Sequence, residues 1–221
     1  MEFEGLLTIL VFLPLLGAVF IALVVTGDRN VRYVAGVVSL IELALSIVVF
    51  LRYDPEIGGV QMVDRIPDWI PVESFEAQYF LGIDGLSAPL VLLSGLMGTA
   101  AVFASWGIKH RVRKYFVWLL VLQTAVVGVF TALDFILFFL LWELELVPMY
   151  FLISIWGTGR REYSAMKFLI FTLLGSASML VGILALYFSL DTFSIVDLSS
   201  RIDGVQLILP AWAIFAFLFA A

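Results

Sequence analysis

Residues 133–153 read LDFILFFLLWELELVPMYFLI, an apolar stretch interrupted by Glu143, Glu145 and Pro148. About 20 apolar residues are enough for a helix to cross a bilayer, so this stretch predicts a membrane-spanning helix. The composition agrees, because 63% of the 221 residues are hydrophobic and only 14% are charged. Soluble domains average about 45–50% apolar and about 25% charged residues. We therefore expect an integral membrane protein.

Outward from this stretch, the rest of the chain contains further apolar segments of spanning length. The predicted spans are 6–25, 31–51, 86–106, 115–132, 135–156 and 165–189, and a seventh begins near 207 and is still apolar at residue 221. Because chain ends usually carry a polar flank, we expect a truncated or partial chain. The predicted organisation is helices 1–2 over 1–51, an acidic loop over 52–85, helices 3–6 over 86–189, a second loop over 190–206 and the start of helix 7 over 207–221.

Charge alternates between the loops at the two ends of the predicted spans. Nine of the twelve basic residues lie in the loops at 26–32, 107–114 and 157–167. Thirteen of the eighteen acidic residues lie in the N-terminus and in the loops at 52–85, 133–134 and 190–206. Basic loops favour the cytoplasmic side, so we predict a multi-pass protein of the plasma (cell inner) membrane whose N-terminus faces outside. The loop at 52–85 is expected to form an irregular cap there.

Composition also excludes several classes of site. The chain has no cysteine and one histidine, His110, which excludes disulfides, thiolate metal sites and iron–sulfur clusters and disfavours a multi-histidine metal site. The net charge of −6 does not suggest nucleic-acid binding. The first residues are acidic and no small-residue cleavage site follows, so no signal peptide is predicted.

Glu143 lies near the middle of its predicted span, where an acidic residue costs about 2.5–3.5 kcal/mol on insertion scales. Pro148 has no amide hydrogen for the carbonyl of Leu144, which leaves a free acceptor beside the carboxyl where water can sit. Burial penalises a charged carboxyl and a nearby cation favours it. A carboxyl balanced between these effects can load and release a proton near neutral pH. The alternative is a carboxyl locked in a permanent hydrogen bond that holds helices together.

Three other polar side chains lie within the predicted spans. Glu145 lies about 200° around the helix from Glu143 and is interpreted as structural. Glu42 lies in the middle of the second span, and functional and structural roles both stay open. Gln123 either binds water on a proton path or makes a helix–helix contact, which is the more common role.

Lys167 opens the sixth span, either as a lysine that extends to the membrane surface or as a charge partner of Glu143. At 1.5 Å per residue, Glu143 lies about 21 Å from the basic end of its helix. Lys167 lies roughly 5–10 Å deep, which leaves a gap of about 10 Å. We therefore expect charge sensing, through a kink or a bridging water, rather than a permanent salt bridge.

The run from Leu133 to Ile153 resembles the fifth helix of the M-type antiporter-like subunit of respiratory complex I. Three other stretches agree with the same family: LGIDGLSAP at 81–89, RREY at 160–163 with Lys167 and Phe168, and LGS at 174–176. The resemblance covers residues 80–190, and a Trp-Glu pair followed by Pro-Met-Tyr-Phe-Leu is a specific signal.

The resemblance implies an all-α polytopic transmembrane bundle with inverted five-helix repeats, of which this chain holds helices 1–6 and the start of helix 7. It implies that Glu143 is the fifth-helix glutamate that transfers protons, and that Lys167 occupies a frequently basic position. The seventh-helix lysine of the family is not in this chain. Glu145 departs from the apolar residue usual there, which puts the local electrostatics in doubt.

The function implied is that of a proton-translocating, non-redox membrane subunit of an NADH (or other donor):quinone oxidoreductase. Such a subunit has no cofactor of its own, contacts neighbouring antiporter-like subunits and lipid, and is not catalytic alone. One alternative is a subunit of a multisubunit cation/proton antiporter or of a membrane-bound hydrogenase, which share the fold. Another is a structural membrane scaffold without transport. A stand-alone enzyme is disfavoured, since no nucleophile–base pair or metal cluster is visible.

Overall fold

The computed structural model describes residues 4–67, 69, 77–202 and 207–220, with only the backbone of residues 199 and 200. Over these ranges the chain forms eight α-helices and a pair of antiparallel strands. The helices are α1 (Leu6–Leu23), α2 (Asp28–Arg52), α3 (Ser87–Ala104), α4 (Val112–Thr131), α5 (Phe135–Trp156), α6 (Arg161–Leu190), α7 (Ile195–Arg201) and α8 (Ala211–Phe219). The strands are β1 (Gln61–Ile66) and β2 (Tyr79–Ile83).

Six helices, α1 to α6, are long and apolar enough to cross a membrane, which confirms the prediction of a multi-pass helical protein. Their ends lie within four residues of the ends expected from the sequence. In lipid every backbone polar group must be satisfied within the segment, so an apolar run of this length becomes a helix. Large apolar side chains remain outside the bundle, and Leu16, Phe171 and Leu174 are 66–67% exposed.

Helix α4 lies at the centre of the bundle, against α1, α2, α3 and α5. Helix α5 packs in turn against α6, and α6 packs against α8. Gly128 of α4 faces Leu141 of α5 so closely that an added Cβ would lie 2.9 Å from the leucine. Small residues permit such close helix contacts in membranes. This contact sets the position of α5, the helix that carries Glu143.

The end of the bundle at which α1, α3 and α5 begin, the sheet end, carries the two strands. The prediction of an irregular cap over 52–85 is wrong for residues 61–66 and 79–83, which pair as antiparallel strands. The reason is a distant partner: the Asp64 carboxylate accepts hydrogen bonds from the amides of Gly5 and Thr8 and from the Thr8 hydroxyl. Residues 68 and 70–76 of the predicted loop lie outside the described ranges.

Backbone hydrogen bonds join three segments at the sheet end. The Leu133 amide donates to the Phe80 carbonyl, the Phe135 amide to the Phe193 carbonyl, and the Ile195 amide to the Leu133 carbonyl, each at 2.9 Å. They connect β2, the link between α4 and α5, and the segment after α6.

The opposite end, the basic end, carries the loops between α1 and α2, α3 and α4, and α5 and α6. Side chains of α2 and α5 donate hydrogen bonds to the loop between α3 and α4. The Arg32 guanidinium donates to the Ile108 carbonyl at 2.7 Å, and the Trp156 indole donates to the His110 carbonyl at 2.8 Å.

The segment predicted as a loop over 190–206 contains α7. Its first turn is capped by Ser194, whose hydroxyl accepts a hydrogen bond from the Asp197 amide at 3.3 Å. Helix α8 lies within the predicted start of a seventh span at 207–221. Residues 203–206 and 221 are not among those described.

Candidate functional site

Asp134 fixes the start of α5 and so sets the depth of Glu143. Its carboxyl accepts hydrogen bonds from the amides of Ile136 at 2.9 Å and Leu137 at 3.1 Å, which satisfies two free donors at the helix N-terminus. Burial raises the pKa of Asp134, and these amides, with that of Gln78, oppose the rise. Glu143 follows eight residues after the first residue of α5, about 12 Å from the sheet end.

Helix α5 is apolar on the two sides that meet other helices. Leu137 and Leu141 pack into a core cluster shared with α4, while Phe138 and Trp142 pack against Met179 and neighbouring residues of α6. Glu143 comes directly after Trp142, about 100° further around the helix, and so lies at mid-helix outside these two contact sides.

The Glu143 carboxyl is partly buried, and its Oε1 atom is shielded from solvent without a hydrogen-bond partner among the described residues. The indole nitrogen of Trp142 is also shielded from solvent and has no hydrogen-bond partner among the described residues. Oε1 therefore does not form, within the described residues, the permanent hydrogen bond that was the alternative raised from the sequence. Buried polar atoms usually have partners, so this unpartnered oxygen marks Glu143 as a candidate functional residue.

Pro148 lies within α5, and the helix is continuous across it from Phe135 to Trp156. Since proline has no amide hydrogen, the Leu144 carbonyl receives no bond from residue 148. A free backbone acceptor beside the Glu143 carboxyl stays a prediction.

Lys167 is not brought to Glu143. Its side chain is exposed near the start of α6, and its ammonium lies 5.7 Å from the centre of the Phe171 ring. It stands about 9 Å from the basic end, against about 20 Å for Glu143, and the two form no ion pair within the described chain. A role for Lys167 as a charge partner stays a prediction.

Glu145 and Glu42 differ sharply in their surroundings. Glu145 is partly buried on α5 and forms no hydrogen bond or ion pair within the ranges described. Glu42 of α2 is fully buried, and neither of its carboxyl oxygens has a hydrogen-bond partner among the described residues. The amide of Gln123 lies beside the Glu42 carboxyl.

Gln123 makes the helix–helix contact that was one of its two interpretations. Its side-chain amide donates to the Ser94 carbonyl of α3 at 2.8 Å. Thr124, the next residue, is fully buried and its hydroxyl has no partner within the described part of the chain. The sequence did not single out Ser94, because a backbone acceptor leaves no trace in residue type.

The described residues contain no group of three or more His, Cys, Asp and Glu side chains that could hold a metal ion. Glu42, Glu143 and Glu145 are the carboxyl groups near the middle of the described spanning helices. Such groups can take up, hold and release protons.

Comparison with known proteins relates the chain to a single family. Residues 132–221 match the family described as NADH:quinone oxidoreductase/Mrp antiporter, TM. The chain is 42% identical over 216 residues to the NAD(P)H-quinone oxidoreductase chain 4 2 of Thermosynechococcus vestitus, covering 97% of this chain and 40% of that protein. It is 38% identical over 203 residues to the NADH-quinone oxidoreductase subunit M of Rhodobacter capsulatus, covering 89% of this chain and 38% of that protein.

Solved structures share the fold. A chain of respiratory complex I from Thermus thermophilus with bound NADH superimposes with a TM-score of 0.80 at 24% identity, over 97% of this chain and 43% of that chain. A chain of the Mrp complex from Dietzia sp. DQ12-45-1b superimposes with a TM-score of 0.76 at 15% identity, over 97% of this chain and 23% of that chain.

The chain thus spans about two fifths of the length of the curated relatives it matches. The resemblance noted in the sequence is confirmed by these similarities over nearly the whole chain. The chain is thus similar over most of its length to chain 4 and subunit M proteins of quinone oxidoreductases, and its residues 132–221 match the transmembrane family described as NADH:quinone oxidoreductase/Mrp antiporter.

Proposed function

We propose that this chain is part of a proton-translocating membrane subunit of a quinone oxidoreductase complex, in which Glu143 transfers protons. The observation that carries the proposal is the Glu143 carboxyl at the middle of a spanning helix, with a shielded, unpartnered oxygen. The similarity to chain 4 and subunit M proteins supplies the kind of complex.

In the proposed mechanism, electron transfer elsewhere in the complex changes charge or hydration along the membrane. Glu143 responds by releasing its proton to water that reaches the free Leu144 carbonyl and by taking up another. Moving one charge against 100 mV costs about 2.3 kcal/mol, so the energy comes from the redox reaction. The subunit holds no redox cofactor, contributes a non-redox part of the enzyme, and is not catalytic alone.

The proposed partners are neighbouring membrane subunits, including other antiporter-like subunits, and lipid. This agrees with the large apolar side chains outside the bundle, such as Leu16 of α1 and Phe171 of α6. Lys167, exposed near the basic end, is proposed to sense charge at a distance from Glu143 rather than to pair with it.

A second candidate is a subunit of a cation/proton antiporter, because the Mrp complex has the same fold over 97% of this chain. Purification of the complex from native membranes separates the two. We expect a tagged subunit to copurify with a peripheral redox arm that oxidises a soluble donor and reduces a quinone. Copurification with membrane subunits alone, in a complex without quinone reductase activity, would favour the antiporter.

The proposed location is the plasma (cell inner) membrane, with the sheet end and the N-terminus outside. Because these 221 residues contain no cysteine, the Glu56→Cys and Lys109→Cys variants each give this part of the subunit one exposed thiol, at the sheet end and the basic end. We expect a membrane-impermeant maleimide to modify residue 56 in intact cells, and residue 109 only after permeabilisation. The reverse pattern would overturn the proposed orientation.

A further inference from the structure

Glu42 is the most completely shielded acidic side chain within the described spanning helices. It is 0% exposed and lies ten residues before the end of α2, about 15 Å from the sheet end. Gln123 and Glu143 lie about 12 Å from that end on α4 and α5. Three polar side chains on three helices therefore occupy one layer near the middle of the membrane.

The hydroxyl groups near Glu42 do not donate to its carboxyl. Ser39 and Ser46, on the same face of α2, donate to the backbone carbonyls of Gly36 at 3.0 Å and Glu42 at 2.9 Å. Thr99 of α3 donates to the Ser39 carbonyl at 2.9 Å. The donors that would stabilise an ionised carboxylate are thus occupied by backbone acceptors.

No cation faces Glu42 from the helices packed against α2, which are α1, α3 and α4. Helices α1 and α3 contain no charged residue, and Arg113 and Lys114 of α4 lie in its first turn. Lys114 is nine residues before Gln123, about 14 Å away along the helix. A carboxyl buried this far from any cation is more stable neutral than charged.

A route to the outside of the bundle passes Gln123. Its side chain lies beside the Glu42 carboxyl and also lines a groove of about 400 Å³ between α3 and α4, together with Ser94 and Gly98. The Gln123 amide occupies the space left by the missing side chain of Gly98, because a Cβ added at Gly98 would collide with the amide. The groove is lined mainly by apolar side chains, and Ser94 and Gln123 contribute its polar groups. Gln123 therefore lies between the buried acid and the polar part of the groove, where water would bind.

We propose that Glu42 is a second proton-holding carboxyl of this subunit, which exchanges its proton with water in the groove between α3 and α4. The O–H bond of Glu42 breaks, a water molecule takes the proton to form hydronium, and the electron pair stays on the carboxylate. Gln123 then moves its N–H from the Ser94 carbonyl to the new carboxylate. Gln123 is thus a positioning residue. The proposal rests on the proposed function for its use in proton movement.

The test is labelling of the intact complex in native membranes with dicyclohexylcarbodiimide, an apolar reagent that adds to protonated carboxyls. Mass spectrometry of the peptide that contains residue 42 gives the rate. We expect an adduct on Glu42 at neutral pH, a rate that falls as pH rises, and no adduct on that peptide in the Glu42→Gln variant.

The Gln123→Leu variant tests the positioning role and keeps the side-chain volume. Loss of the one N–H donor that stabilises the carboxylate should move the pH at which labelling falls upward by about one unit, or tenfold in proton concentration. A residue that only packs would leave this pH profile unchanged. Ser94→Ala, which keeps the carbonyl that binds Gln123, is the matched control and should not shift the profile.

Absence of a Glu42 adduct at every pH at which Glu143 is labelled would overturn the proposal, because the carboxyl would then be closed to the groove. An unshifted profile in Gln123→Leu would overturn the assigned role of the amide. Normal pumping in a Glu143→Gln complex, with Glu42 still labelled and titrating, would instead refute the proposed role of Glu143 and leave this site standing.

Discussion

Substitution of Glu143 by Gln in the intact complex is expected to slow proton transfer through this subunit by at least about a hundredfold. A positioned proton-transfer group contributes about 10²–10⁴-fold to the rate of its step, and glutamine keeps the shape of the side chain but carries no titratable proton. The number of protons pumped per electron, measured in membrane vesicles with an added quinone, should fall. The assembled complex should remain, since Oε1 of Glu143 makes no hydrogen bond within the described chain.

Glu145→Gln is the matched control on the same helix. It removes a carboxyl two residues away that points about 200° around α5, and we expect a much smaller loss of pumping. An unchanged proton-to-electron ratio in Glu143→Gln would refute the proposed role. Full activity with both Glu143 and Lys167 neutralised would support the scaffold interpretation.

Asp64→Ala should produce the largest loss of stability outside the spanning helices. Asp64 is 0% exposed and accepts hydrogen bonds from the Gly5 amide, the Thr8 amide at 2.8 Å and the Thr8 hydroxyl at 2.8 Å. A hydrogen bond to a charged group contributes about 1.5–3 kcal/mol, and buried donors left without a partner cost more. The free energy of unfolding of the complete subunit should fall by at least about 3 kcal/mol, which for a protein of that length is roughly 3 °C in Tm.

The measurement is thermal unfolding of the detergent-purified complete subunit, followed by loss of its native signal. Glu56→Ala, an exposed acidic residue of the same loop, should change the Tm by less than about 1 °C. Asp64→Asn keeps one acceptor oxygen, so its Tm should lie between those of Asp64→Ala and Glu56→Ala. Equal Tm values for Asp64→Ala and Glu56→Ala would contradict the assigned role of Asp64.

The spanning helices could be predicted from the sequence because lipid allows an apolar segment few other conformations. The ends of α5 agree with the predicted ends, since Asp134 and Gly157 interrupt the apolar run on either side. The strand pair could not be predicted in the same way. Asp64 meets Gly5 and Thr8 across 59 and 56 residues, and such a distant contact leaves no periodic pattern. The start of α7, which was predicted as part of a loop, does carry a local signal, because Ser194 and Asp197 form a Ser-x-x-Asp cap pattern.

Of the candidate site, the positions along the helices could be predicted from the sequence, and the contacts between helices could not. The depth of Glu143 and the gap to Lys167 follow from helix rise alone, and the structure places the Lys167 side chain in an exposed position. The surroundings of Glu42 depend on which helices pack against α2. Residue types alone therefore left the role of Glu42 open, and its contact with Gln123 appears only in the fold.

The backbone hydrogen bonds at the sheet end would hold that end in place if α5 tilted. There, Leu133, Phe135 and Ile195 connect the helices through their main chains, whereas the basic end is joined through the longer side chains of Arg32 and Trp156. A rigid rod that tilts about one fixed end moves in proportion to the distance from it. Glu143 lies about 12 Å along a helix of about 33 Å, so a sway of about 3 Å at the far end becomes about 1 Å at the carboxyl. A shift of about 1 Å is enough to make or break a hydrogen bond. A larger tilt of α5 at the basic end would therefore reach Glu143 as a movement on the scale of one hydrogen bond.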